Sequence, residues 1–314
     1  MNSSNQTIRR LYTHKLALGT VQLGFDYGIS NSNGQVSPTE ATKILKTASN
    51  NGVLTLDTAR GYGNSEEIIA KALPKIKIQF RIVTKIPSLL KSVQMGTDPV
   101  LTIKKYVDSS FNILQKNPPD TFLFHDENDL LHPEGLHFWK ILEEYFEKNI
   151  EKYHKTQKIG VSCYSPESLV KIIKRYPINV IQVPYNILDR RFFSPLLLEL
   201  YQSKSIEIHI RSVFLQGLFF LDENNCPNQM AFALPTLLKL KKIGSKLSMT
   251  SAQLSLCASL CNPWISKTVI GVTSVKELEE ILDIPFVTID KKILDETEFL
   301  WKTSEEKILD PRLW

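Results

Sequence analysis

Asp57, Tyr62, Lys85 and His125 place a carboxylate, a phenol, an ammonium and an imidazole at or just past the ends of short apolar runs. The runs are Val53-Leu54-Thr55-Leu56-Asp57, Arg81-Ile82-Val83-Thr84-Lys85 and Thr121-Phe122-Leu123-Phe124-His125. Each reads as a buried strand. In a closed barrel of parallel strands, the C-terminal strand ends converge on one rim, where catalytic residues collect. These four groups, gathered there, would make a proton-delivery site.

The rest of the chain supplies the strands such a rim needs. Apolar runs recur at 16–19, 53–56, 81–84, 121–124, 158–162, 179–183, 206–210 and 268–271, and helix-period segments such as 37–50, 64–72, 166–175 and 250–261 lie between them. Ser37-Pro38-Thr39-Glu40 carries Pro at the first helical position with a carboxylate behind it, a helix-start signal. Nearly continuous apolar strands separated by helices imply a parallel sheet covered on both faces. Eight such units favour an α/β protein of the (β/α)8 TIM-barrel type over an open doubly wound sheet, which would more often show a GxGxxG turn after its first strand. A single domain spanning 1–314 is expected, with long strand-to-helix loops near 25–36 and 212–235 and a C-terminal tail near 300–314.

Composition narrows the function classes. The chain has 314 residues, 42% hydrophobic, with a net charge of +5, enough for a full core and too mildly basic to argue for nucleic acid. The densest basic stretch, Lys239 to Lys246, alternates with Leu240, Ile243 and Leu238 as a solvated helix face would. Cys163, Cys226, Cys257 and Cys261 form no CxxC pair. Met1 to Arg10 is polar, and no run approaches a membrane span. A soluble, cytoplasmic protein is expected, without membrane or nucleic-acid partners, as a monomer or small homo-oligomer.

Singly, each candidate has an ordinary reading. Asp57 could cap a helix, Tyr62 could pack, and Lys85 could be a solvated strand end. His125 could be a loop histidine or half of a weak metal site. No metal is expected, because the spacing of His125, Asp126, Glu127 and His132 suits no familiar ligand pattern. It is their order and placement together that points to chemistry.

Asp57-Thr58-Ala59-Arg60-Gly61-Tyr62-Gly63-Asn64-Ser65-Glu66 resembles the D-T-A-x-x-Y-G-x-S-E signature of the aldo-keto reductases. Thr84-Lys85 and His125 follow in order, and the resemblance runs from about Leu16 to Leu282. It implies a nicotinamide cofactor, NADPH or NADH with the preference open, bound without a Rossmann fold, and reduction of a small aldehyde or ketone, with sugar-derived carbonyls among the candidates. Tyr62 would be the general acid, its pKa lowered by Lys85, which Asp57 holds charged. His125 would orient the carbonyl oxygen. The same resemblance places cofactor contacts at Gly19, Thr20, Val21, Ser162, Cys163, Gln182, Arg211, Ser212, Phe214, Gly217, Gly271, Thr273, Ser274, Glu277 and Glu280. Candidate substrate-pocket walls are Phe25, Asp26, Tyr27, Tyr164, Phe214 and Trp314. An alternative of a different class is a cofactor-binding, redox-sensing regulatory subunit, since some relatives keep the four residues in that role.

Three departures from the family pattern stand out. Cys163 replaces an Asn that helps bind the carboxamide, which leaves Ser162 and Gln182 to carry that contact. Arg211 replaces an aromatic that stacks on the nicotinamide. It could disfavour the oxidised cofactor, reach an anionic group on the substrate, or pair with a rim carboxylate. After the eighth strand, Gly271 and Glu277 stand where NADPH-preferring members often carry Lys and Arg. The tail, Asp310-Pro311-Arg312-Leu313-Trp314, could fold over the pocket or pack between helices.

Overall fold

The computed structural model describes residues 12–115, 117–149, 151, 157–284 and 287–314. The polar N-terminus, Met1 to Arg10, lies outside them. Eight parallel strands close into a barrel in sequence order: β1 (Leu16–Gly19), β2 (Thr55–Asp57), β3 (Arg81–Ile86), β4 (Thr121–Phe124), β5 (Lys158–Ser162), β6 (Val180–Pro184), β7 (Glu207–Arg211) and β8 (Lys267–Gly271). Closure comes from β1 pairing with both β2 and β8. Helices pack outside, so the apolar faces of both layers share one core.

Pairing moves several strand limits from those the apolar runs suggest. The second strand starts at Thr55 rather than Val53, because its bonds to β1 and β3 run from Thr55 through Asp57 and leave Leu54 exposed. Helices occupy Pro38–Asn50, Ser65–Ala72, Pro166–Arg175 and Ser251–Cys261, close to the expected segments. Ser37 caps the first by accepting from the Glu40 N–H. Leu237, Leu240 and Ile243 bury one face of Leu234–Ser245 and leave Lys239 and Lys242 in solvent. No described helix is long and apolar enough to cross a membrane.

The inward rows of the strands explain where the reactive groups stand. Side chains two apart share a strand face, and Val83, Leu123 and Val180 form a small apolar cluster apart from the main core. Two residues further along the same faces come Lys85, His125 and Gln182. Two residues earlier on β3, and at the starts of β5 and β7, come Arg81, Lys158 and Glu207, and both cations pair with Glu207. The barrel interior is therefore layered: ionic at the N-terminal end, apolar in the middle, reactive at the C-terminal end.

Candidate active site

Asp57 closes β2, and Lys85 lies near the end of β3. The Lys85 ammonium donates to Asp57 Oδ1 at 2.6 Å, to the Thr58 carbonyl at 2.9 Å and to the Tyr62 hydroxyl at 3.4 Å. It also lies 4.9 Å from the Tyr62 ring centroid. The Tyr62 and His125 rings meet edge to face at 5.7 Å. The four residues predicted to act together are thus brought together. Lys85 and Asp57 are 1% and 4% exposed, so their charges interact with little solvent screening.

The rest of the signature segment is scaffolding for that arrangement. Ser65 donates to Thr20 on the β1 loop and bonds Thr58. Glu66, buried, accepts from Arg60, Thr84 and Ser110. Since Thr84 precedes Lys85 and the Arg60 N–H donates to the Lys85 carbonyl, these bonds fix the backbone that carries the ammonium. Gly24 lets the β1 loop touch the Tyr62 carbonyl: a Cβ there would fall 1.8 Å from that oxygen. These second contacts, and Gln182, whose amide donates to Asp57 Oδ2 at 2.6 Å, carry no local sequence signal beyond the signature itself.

Electrostatics assign states to the groups. Burial pulls the Lys85 ammonium down, but Asp57 and then Tyr62 outweigh it, so its pKa is raised and it stays charged. For Tyr62 burial is the largest influence and raises the phenol, while Lys85 opposes it; the net is upward. This departs from the lowering expected from the ammonium alone. Burial, then Lys85, then Arg211, drive His125 down to about 3, so the imidazole is neutral and offers an N–H rather than a charge.

Asp57, Tyr62 and His125 line a cavity of about 1440 Å³, and the Lys85 ammonium stands behind them, bonded to Asp57 and Tyr62. The cavity exceeds the roughly 300–1,000 Å³ of ordinary small-ligand pockets and suits a longer molecule. Of the residues the sequence puts forward as cofactor contacts or pocket walls, Gly19, Thr20, Val21, Ser162, Gln182, Arg211, Ser212, Phe214, Gly217, Gly271, Thr273, Glu277, Glu280, Tyr27 and Tyr164 line it. Five proposed residues do not. Cys163 is fully buried beneath the rim, and Ser274 caps the helix Val275–Leu282. Phe25 is exposed beside Gly63, Asp26 accepts from Asn31, and Trp314 donates its indole N–H to the Lys307 carbonyl. Sequence reasoning missed Gln22, Lys241 and the wall from Ser248 to Gln253, which only the closed fold brings to the cavity.

The walls suit a dinucleotide. Ser212, Leu215, Gln216 and Gly217 all take positive φ, a conformation that clusters at ligand clamps. The Ile29 N–H donates to the Gln216 carbonyl, and Asn33 donates to Thr273, so the β1 loop bridges both sides of the groove. Gln22 Oε1 is buried on this wall with no hydrogen-bond partner among the described residues. Gln22 lies so close to Gly271 that a Cβ there would come within 2.3 Å of its amide. Among the described residues no cluster of three or more His, Cys, Asp or Glu could hold a metal ion.

Comparisons with known proteins agree with this geometry. The chain is 23% identical over 292 residues to L-galactose dehydrogenase of Arabidopsis thaliana, covering 84% of this chain and 85% of that one. It is 26% identical over 181 residues to the aldo-keto reductase YhdN of Bacillus subtilis, covering 56% and 51%. In fold it resembles a thermostable aldo-keto reductase, Tm1743, solved with the inhibitor epalrestat (TM-score 0.67, 23% identity, 91% and 94% covered). It also resembles an aldo-keto reductase of Bacillus halodurans in its holo form (TM-score 0.69, 20% identity, 94% and 95% covered). The family model for aldo/keto reductases matches residues 15–301, which takes in every strand of the barrel and all four clustered residues, so the chain belongs to the aldo/keto reductase family and is an NAD(P)H-dependent oxidoreductase.

Proposed function

We propose that this protein reduces a small aldehyde or ketone to the alcohol, with Tyr62 as the general acid. The observation that carries the reading is the Lys85 ammonium held between Asp57 and the Tyr62 hydroxyl, both of which line a dinucleotide-sized cavity. Bound there, the reduced nicotinamide supplies the hydride. The substrate carbonyl oxygen becomes an alkoxide and takes the Tyr62 proton. The phenolate left behind is stabilised by the adjacent ammonium, which Asp57 keeps charged and aimed. Neutral His125 donates an N–H to the same oxygen, where negative charge develops. In alcohol oxidation Tyr62 acts as the base.

Of the lining set above, Tyr27 and Tyr164 are proposed as substrate-pocket walls and the others as cofactor contacts. The carboxamide contact is assigned to Ser162 and to the Gln182 amide, which gives one N–H to Asp57 and keeps its other N–H and its carbonyl oxygen for the cofactor. The relative named L-galactose dehydrogenase makes sugar-derived carbonyls the first compounds to try. Steady-state oxidation of NADH and NADPH across an aldehyde panel, with Tyr62→Phe as control, tests the reading. Turnover that disappears in Tyr62→Phe supports it. Tight cofactor binding with no turnover on any carbonyl would instead favour the redox-sensing reading.

A further inference from the structure

Tyr164 stacks against two guanidinium groups: Arg211 Cζ is 3.8 Å from its ring centroid and Arg312 Cζ is 3.7 Å. Two guanidiniums cannot share one ring face at these distances, so the ring is held between them. Their charges are treated differently. Arg312, on the C-terminal tail, makes a forked pair with Asp310. Arg211, half-buried at the end of β7, donates one bond, to the Cys163 carbonyl at 3.2 Å, and makes no ion pair with a carboxylate among the described residues.

The neighbouring carboxylates are all committed elsewhere. Asp189 is forked by Arg191, Asp57 is shared by Lys85 and Gln182, and Glu127 accepts the Tyr164 and Ser165 N–H groups. Arg211 lines the same cavity as Tyr62 and His125, and its charge is felt at both. A half-buried guanidinium with most of its five donors unused, facing an open cavity, is arranged to receive an anion. Its stacking on Tyr164 fixes the plane of the fork in advance, which lowers the ordering needed on binding.

Resting on the reductase reading above, we propose that Arg211 is a specificity-determining residue that receives a carboxylate borne by the carbonyl substrate. The preferred substrate is therefore an aldehydo or keto acid rather than a neutral carbonyl compound. Arg312 and Asp310 act as positioning residues, through Tyr164.

Matched pairs test this: 4-carboxybenzaldehyde against 4-methylbenzaldehyde, and succinic semialdehyde against butanal. They would be run with wild type, Arg211→Gln and Arg211→Lys, with NADH and NADPH affinity measured alongside by fluorescence. Wild type is expected to favour the acid of each pair by about tenfold or more in kcat/KM, mostly through KM. That ratio should collapse in Arg211→Gln and return in part in Arg211→Lys. Equal use of both members of each pair by wild type overturns the inference and leaves the reductase reading standing. So does an acid preference that survives in Arg211→Gln, or an Arg211→Gln effect confined to cofactor affinity. No turnover of any carbonyl with either cofactor overturns the reductase reading itself, and this inference with it.

Discussion

The Gln182 amide donates to Asp57 Oδ2 at 2.6 Å, while the Lys85 ammonium takes Oδ1 of the same carboxylate at the same distance. Asp57 is thus pinned from two strands, with one lone-pair site of each oxygen filled. Hydrogen bonds to charged groups contribute about 1.5–3 kcal/mol. Gln182→Met, similar in size but without a donor, should leave Asp57 free to turn and misaim the ammonium. We expect kcat to fall by about tenfold with melting temperature lowered only modestly. Unchanged kcat would mean that Lys85 alone orients Asp57.

Removing the ammonium is a larger perturbation. Lys85→Met leaves the Asp57 carboxylate buried without its counter-ion, and breaking a buried pair costs about 3–5 kcal/mol. The remaining Gln182 bond puts the expectation at the lower end. Asp57→Asn/Lys85→Met should recover most of that stability, since no charge is left buried, and should remain inactive. Denaturant unfolding of both variants separates the two roles. A double variant as unstable as the single one would show that packing, not charge, dominates.

The pH dependence of carbonyl reduction follows from the same shifts. Tyr62 must be protonated to act as acid, and its folded pKa lies above the ordinary value of about 10, so the active form persists until strongly alkaline pH. His125, driven down to about 3, stays neutral throughout. We expect kcat/KM flat between about pH 5 and 9, falling only on the alkaline side. A break near pH 6.5 that vanishes in His125→Ala would show that the imidazole titrates there after all.

The reactive rim was legible because it is a local pattern. β2 ends on Asp57, and the inward rows of β3, β4 and β6 lead to Lys85, His125 and Gln182, so period-two alternation on an apolar run carries that information within a few positions. Asp57, Lys85 and His125 needed no tertiary knowledge, and Tyr62 came with the signature. The tail stacking of Arg312 on Tyr164, the unpartnered Gln22 amide and the wall from Ser248 to Gln253 were not legible, because each arises where distant segments meet. Burial had the same effect on Tyr62: its neighbour Lys85 could be read from the chain, but the larger influence of the surrounding protein could not. The tail reads equally as a cover for the pocket or as packing between helices; Trp314 bonds back to Lys307, and it is Arg312, two residues earlier, that reaches Tyr164.

At the opposite end of the barrel, Glu207 accepts from His209 and Lys158 and pairs with Arg81. The His209 bond, followed by the Lys158 bond after opposition from burial, lowers its pKa well below the usual carboxylate range. A carboxylate depressed in the folded state stabilises fully above its unfolded pKa of about 4.3 and loses that contribution as pH falls through its folded value. Wild type should therefore lose stability steeply below about pH 4, and Glu207→Gln should show a shallower acid limb from a lower starting stability. Denaturant melts at a series of acidic pH values would read this. Parallel limbs in the two proteins would sink the assignment.

After β8 the cavity is lined by Glu277, Glu280 and Asp283, and Lys241 lines it too. Lys276 is directed to Glu280 at 3.9 Å in solvent. Glu277 is fixed by the Thr273 N–H and hydroxyl, both at 2.7 Å, so it cannot readily swing away. A dinucleotide whose reactive end sits at Tyr62 is expected to lay its adenosine end against these acids. A carboxylate accepts a bond from a ribose 2′-hydroxyl and repels a 2′-phosphate. NADH should therefore bind tighter than NADPH, by about tenfold at low salt, with the gap narrowing as salt screens the exposed acids. Fluorescence titration of both cofactors at two ionic strengths reads this directly. Glu277→Gln should raise NADPH affinity more than NADH affinity, and NADPH binding tighter in wild type would overturn the assignment.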